Sequence, residues 1–243
     1  MQIITAAVTK GGTGKTTTVA ALAQAAAYRG RRVLAIDLDA QQNLSFILGA
    51  SAGPGSDLLL SGRDPAKLIQ HTAAGIDVIP GSINLAAETS SKGSARRLQK
   101  ALEPLKPSYD LIFIDVPPSP GELQLNALQA ADGLIIPLLA DAHGIQALYQ
   151  ITRTAQQIQA TSNTELEILG FILTQHNPRS TIAKQMQETI TERAAAIGVP
   201  YLGAVRQAVA VREAAALQTS LFEYAPNCKP AQDYLQIFDA LKI

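Results

Sequence analysis

The chain has 243 residues, of which 47% are hydrophobic and 16% charged. That is ample material for a buried core, which excludes wholesale disorder. The formal net charge is zero, so a strongly basic protein is excluded and any nucleic-acid contact must come from a local patch. The lone cysteine, Cys228, cannot form an internal disulfide or hold an iron–sulfur cluster within one chain, and it fits a reducing, cytoplasmic setting.

The opening residues MQIITAAVTKGG lack the basic stretch and long apolar run of a signal peptide. No window reaches the ~18 uncharged apolar residues of a membrane span. Ile3 to Val8 is a short apolar, β-branched run and reads as the first strand. It leads into Lys10-Gly11-Gly12-Thr13-Gly14-Lys15-Thr16-Thr17. Glycines there let the backbone curl so that amides face phosphate oxygens, and the following helix adds its positive end. Lys15 supplies a cation for the β and γ phosphates, and the Thr16 hydroxyl is placed for magnesium. The strict G-x-x-x-x-G-K-[ST] pattern fails at its first glycine, where Thr9 stands, and a second lysine, Lys10, precedes the usual one by five residues. A rival reading takes Gly12-Thr13-Gly14 as the start of a dinucleotide fingerprint with Asp37 as its distal acid. Thr17 occupies the third glycine position, and a lysine inside the turn suits a terminal triphosphate better.

Thr17 to Tyr28 is alanine-rich with helical spacing, and Arg32 to Ile36 reads as the second strand. Asp37-Leu38-Asp39-Ala40-Gln41-Gln42-Asn43 follows it. Gly49 to Pro65 reads as a loop with a helical turn at Leu58 to Leu60. Further strands are expected at Ile76–Ile79, Leu111–Ile114, Leu134–Leu138, Ile168–Leu173 and Tyr201–Val205, with helices at Ile145–Gln159 and Ile182–Ala196. This alternation implies an α/β fold: a mostly parallel sheet covered by helices on both faces, of P-loop NTPase type. No linker or repeat divides the chain, so residues 1–243 are expected to form one P-loop domain. Asp115 closes the strand Leu-Ile-Phe-Ile and opens Val116-Pro117-Pro118-Ser119. With Asp37 and Asp39 it should converge on the phosphate loop at the carboxyl edge of the sheet. Carboxylates there can hold magnesium and position water.

KGGTGKTT, DLDAQQN and FIDVPPS, in this order and spacing, resemble the deviant Walker-A ATPases of the ParA/MinD group. The resemblance runs through nearly the whole chain. Arg212-Glu213-Ala214 and the segment from Ser220 to Pro226 are similar to ParA-type partition proteins in particular. The resemblance implies an ATP- and magnesium-dependent homodimer that sandwiches two nucleotides, with Lys10 reaching the partner's phosphates. It also implies that Lys15 and the loop amides hold nucleotide in the same subunit, and that Thr16, Asp39 and Asp115 serve the magnesium site. Asp39 further matches the residue that aids hydrolysis, making Lys10, Lys15 and Asp39 the catalytic set. Val205 and Gln207 match the positions that border the purine, where relatives commonly carry Pro and Asn. Ala40 likewise replaces a common proline.

ParA-type proteins bind DNA without sequence preference as ATP dimers and respond to a ParB-like centromere-binding partner, which implies a nucleoid-associated location. Arg179, Lys184, Arg206 and Arg212 are the candidate DNA contacts, although the stretch from Thr174 onward holds seven Lys or Arg against six Asp or Glu. No helix-turn-helix domain precedes the phosphate loop. The C-terminal segment Tyr234–Ile243 is amphipathic but carries only Lys242 as a cation, so it reads as packed on the domain and not as a membrane-seeking helix. The main expectation is a DNA-partitioning ATPase. The alternative is a positioning ATPase for a protein cargo or a membrane-bound division system. A small-molecule ligase or kinase is a third class.

Overall fold

The computed structural model describes residues 1–88 and 96–243. Eight strands form one sheet: β1 Gln2–Ala6, β2 Val33–Asp37, β3 Gln70–His71, β4 Asp77–Ile79, β5 Leu111–Asp115, β6 Gly133–Leu138, β7 Glu167–His176 and β8 Tyr201–Arg206. Their order is β3-β4-β2-β5-β1-β6-β7-β8. All neighbours pair in parallel except β3, which runs antiparallel to β4. The fold is therefore α/β with a mixed, mostly parallel sheet, as the alternation of runs implied.

Eleven α-helices are assigned among the described residues: α1 Lys15–Tyr28, α2 Asn43–Ile47, α3 Ser56–Leu60, α4 Leu85–Glu88, α5 Arg97–Leu102, α6 Glu122–Ala130, α7 Ala142–Thr161, α8 Thr181–Ala196, α9 Val209–Ala216, α10 Leu221–Tyr224 and α11 Lys229–Leu241. Strand side chains alternate between two cores. Leu34, Ile36, Ile112 and Ile114 face one layer with Leu148 and Ile151 of α7. Ala35, Phe113 and Ile135 face the other with α1, α10 and α11. Burial on both faces is why these strands read as nearly unbroken apolar runs.

Helix α1 lies in the middle of the second layer. Val19, Ala20, Ala21, Leu22, Ala23, Ala25 and Ala26 are all buried. Alanine both favours the helix and lets backbone approach the sheet closely. Helix α11 packs on α1 and β8. Its apolar residues Tyr234, Ile237 and Phe238 are buried, in keeping with the expectation from its sequence. The two helices are braced by a Thr18–Tyr234 hydroxyl contact of 3.3 Å and by an Arg29–Asp239 fork. Arg31 Nη2 donates to the Ile243 carbonyl at 2.8 Å.

Several elements differ from the sequence expectation, and β1 ends at Ala6, two residues before Val8. Asp37 closes β2 instead of following it. Strand β7 runs on through the polar residues Thr174, Gln175 and His176. Strand β3 has only two residues, tied to β4 by a His71 Nδ1–Asp77 contact of 2.6 Å.

Candidate nucleotide site and adjoining grooves

The chain leaves β1 toward β2 on one side of it and later crosses back, from β5 to β6, on the other. Such a reversal opens a crevice at the carboxyl edge of the sheet. The phosphate loop leaves β1 there. Gly12 and Gly14 take φ of 74° and 80°, a left-handed conformation that glycine adopts without strain. Gly14 sits at the N-cap of α1, and no side chain caps that helix. The amides of its first turn therefore face an anion site. β7 pins the loop from behind: Thr174 Oγ1 donates to the Thr13 carbonyl at 2.7 Å, and Gln175 Nε2 donates to the Gly12 carbonyl at 3.1 Å. A Cβ on Gly14 would come 3.4 Å from Thr174.

Lys15 is buried and its Nζ donates to the Lys10 carbonyl at 3.2 Å. Burial holds its pKa below the usual lysine range, against the pull of Asp115 and Asp39. Thr16 follows on the same turn. Asp115 is fully buried, and neither carboxylate oxygen has a hydrogen bond of ordinary geometry. Its pKa is pushed up to about 8, first by burial and next by Asp37; the Thr16 hydroxyl and the Lys15 charge oppose that rise.

Asp37 lies beside Asp115 in the β2–β5 register and is fully engaged by the chain itself. Its carboxylate accepts from the Asp39 amide at 3.0 Å and from the Ser45 amide and hydroxyl at 2.9 and 2.7 Å. These bonds shape the loop that presents Asp39, whose Oδ1 accepts from the Gln41 amide at 3.0 Å. Gly81 closes the same loop, because a Cβ there would lie 2.6 Å from the Asp39 carbonyl oxygen. Ser45 and Gly81 carry no motif, and only the fold brings them to Asp37.

The orphaned Asp115 carboxylate beside the Thr16 hydroxyl fits a hard divalent cation. No three His, Cys, Asp or Glu side chains form a metal cage among the described residues. That fits magnesium shared between the chain and phosphate oxygens.

Lys10 points elsewhere. Its Nζ pairs with Asp141 Oδ2 at 2.8 Å, and both side chains are about one-third exposed. Asp141 caps α7 by accepting from the Gly144 amide at 2.8 Å. Burial raises the Asp141 pKa, but the Lys10 and Gly144 bonds outweigh it and leave the group below the usual carboxylate range. Thr9 Oγ1 also contacts Gln150 of α7 at 2.7 Å.

Val205 and Gln207 line a cavity of about 250 Å³ together with Gly14, Thr17, Val211 and Tyr234. Thus the two positions are brought against the phosphate loop. Of the four basic candidates, Arg179, Arg206 and Arg212 line a second groove of about 560 Å³, joined there by Lys229, which the sequence reading did not single out. Lys184 is exposed on α8, outside that lining. Arg206 differs from the expectation of a free DNA contact: its Nε and Nη2 form a fork with Asp233. No signal in the sequence links these two residues, which lie 27 positions apart.

Comparison with known proteins agrees with this arrangement. The family described as "AAA domain" matches residues 1–168. The chromosome partitioning protein ParA of Caulobacter vibrioides is 33% identical over 248 residues, covering 98% of this chain and 92% of that one. Among solved structures, the Cyanothece McdA–ATP complex aligns with a TM-score of 0.89 at 25% identity, covering 100% of this chain and 97% of the other. The septum site-determining protein MinD of Pyrococcus horikoshii, complexed with Mg-ADP, aligns with a TM-score of 0.81 at 26% identity, covering 98% and 94%. The chain belongs to the ParA/MinD family of deviant Walker-A ATPases, and it is a P-loop protein that binds ATP with magnesium and hydrolyses it.

Proposed function

We propose that this chain is a positioning ATPase that switches between a monomer and an ATP-sandwich homodimer, all 243 residues acting as one P-loop domain. The observation that carries this reading is the separation of the two lysines. Lys15 is buried beside Asp115, whereas Lys10 stands away on Asp141. Within one chain the site holds one cation for the phosphates and keeps another in reserve. Lys10 then serves the partner's phosphates.

In this reading the loop residues Lys10 to Thr17 cradle the polyphosphate, and Lys15 neutralises its β and γ oxygens. Thr16, Asp39 and Asp115 would hold magnesium, which would supply positive charge to the same oxygens. Asp39 positions water, kept in place by the Asp37 and Gly81 contacts of its loop. Val205 and Gln207 border the purine.

For the surface on which the dimer is held, Arg179, Arg212 and Lys229 of the second groove, which have no carboxylate partner among the described residues, favour DNA, gripped through phosphates without sequence reading. Arg179 and Arg212 are the leading contacts and Lys184 a peripheral one. Arg206, forked to Asp233, acts in the wall. A nucleoid-associated, cytoplasmic location follows. The cargo is either DNA marked by a ParB-like partner or a protein assembly. The partition reading draws on the ParA relative, which matches almost end to end. The membrane reading is disfavoured by α11, whose apolar face is spent on α1, and no helix among the described residues is long and apolar enough to cross a bilayer.

Size-exclusion chromatography with ATP or ADP, with and without DNA, tests the switch. A dimer peak with ATP alone, shifted further by DNA, is expected. The Lys10→Ala variant should bind ATP yet elute as monomer. A normal dimer from that variant removes Lys10 from the shared site.

A further inference from the structure

The cavity bordered by Val205 and Gln207 and the basic groove have a common wall. Arg206, Gln207, Ala208 and Arg212 line both. Arg206 is the part of that wall with the most fixed geometry. Its backbone amide and Nε donate to Asp233 Oδ2 at 3.0 and 2.9 Å, and Nη2 donates to Oδ1. Asp233 is nearly buried, with 7% of its side chain exposed. A buried carboxylate that loses its partner is costly, so this fork holds firmly.

The groove side is strongly positive. Arg179, Arg212 and Lys229 line it, and among the described residues none of the three side chains pairs with a carboxylate. Helix α9 begins there, at Ala208 and Val209, with no side-chain cap. These donors fit a phosphodiester anion. Asp233 cancels the fourth cation, Arg206, and keeps it out of the groove's pool of free charge.

We propose that Asp233 is a positioning residue. It locks the Arg206 guanidinium into the wall between the two cavities, so that this side chain shapes the nucleotide side and is withheld from the groove side. Loosening the fork loosens the wall beside the base and frees a cation that holds polyanion before nucleotide is bound. The polyanion arm rests on the DNA reading above; the nucleotide arm does not.

Asp233→Asn, Arg206→Ala and the double variant test this. Two quantities are measured: affinity for a ribose-labelled fluorescent ATP, and retention of a random-sequence duplex with ATP and without nucleotide. In Asp233→Asn, labelled-ATP affinity should fall and nucleotide-free DNA retention should rise, as Arg206 swings into the groove. The ratio of DNA affinities with and without ATP should shrink by about fivefold or more, the scale of a typical coupling. In the Arg206→Ala background, Asp233→Asn should add nothing further. Wild-type values of both quantities in Asp233→Asn, or the same changes in both backgrounds, overturn the proposal. Should Asp233→Asn fail to fold, Arg206→Lys carries the same measurements, since it keeps the ion pair but not the planar wall; unchanged coupling there is equally fatal. If wild-type protein ignores DNA in every state, the DNA reading falls while the labelled-ATP cycle still decides the role of Asp233.

Discussion

The phosphate loop and the basic groove lie a few residues apart in space, yet they are built in opposite ways. The loop is one contiguous stretch whose carbonyls are tied down by Thr174 and Gln175. The groove is assembled from β7, β8, α9 and α11, and its cations at Arg179, Arg212 and Lys229 are left without carboxylate partners among the described residues. A site that must hold one ligand in one geometry needs a pre-organised backbone. A surface that grips a repeating anion needs charge and tolerates loose geometry. The contrast teaches that this chain ties down the backbone that faces nucleotide and leaves the cations of the groove without carboxylate partners among the described residues.

The largest expected effect is at Lys15. Lys15→Ala deletes the buried cation and should abolish measurable hydrolysis, a drop of about a hundredfold or more on the scale of losing one charge-stabilising donor. A phosphate-release assay checks it, and near-normal turnover would break the contrast by making the loop as tolerant as the groove. Thr174→Val comes next. It leaves the Thr13 and Leu138 carbonyls without their buried donor, at a cost of about 1–3 kcal/mol. A chemical-denaturation curve should show that loss together with weaker ATP binding. Arg179→Ala, whose side chain lines the groove and not the nucleotide cavity, should weaken DNA retention evenly across sequences and lower the salt slope by about one, with intrinsic ATP hydrolysis unchanged. A sequence-dependent loss would mean that the groove reads bases.

The most diagnostic effect concerns pH. Asp115 keeps its proton to about pH 8 when folded, against an ordinary value of 3.8. Between those values the folded chain binds more protons than the unfolded one, so metal-free stability should fall as pH rises through this window. Asp115→Asn should flatten that slope, and magnesium nucleotide should offset it in the wild type. Thermal melts from pH 5 to 8, with and without nucleotide, measure both. A slope unchanged in Asp115→Asn would assign the titration to another group.

How legible these regions are in the sequence follows the same division. The phosphate loop and the two acidic clusters stand out because each packs its chemistry into fewer than ten neighbouring residues beside a strong apolar strand. The parallel sheet is legible for the same reason. Strand β3 is not, since two polar residues paired to an edge leave no periodic trace. The far end of β7 is also missed, because Thr174 to His176 are polar residues whose partners lie on the loop and the wall. Asp141 caps a helix, Lys229 stands in a helix first turn and Asp233 lies further along α11, all places where charge looks ordinarily solvated. Their meaning depends on what the fold sets opposite them.

The bracing of α11 on α1 has a practical side. The Arg31–Ile243 contact and the Arg29–Asp239 fork hold the end of the helix whose start is the phosphate loop. A fluorescent reporter or affinity handle attached to α11 pulls on the same lever that cradles nucleotide. Imaging of this protein in cells is therefore better served by a label inserted at the exposed glycine-containing turn near residues 51–54, far along the chain from that brace.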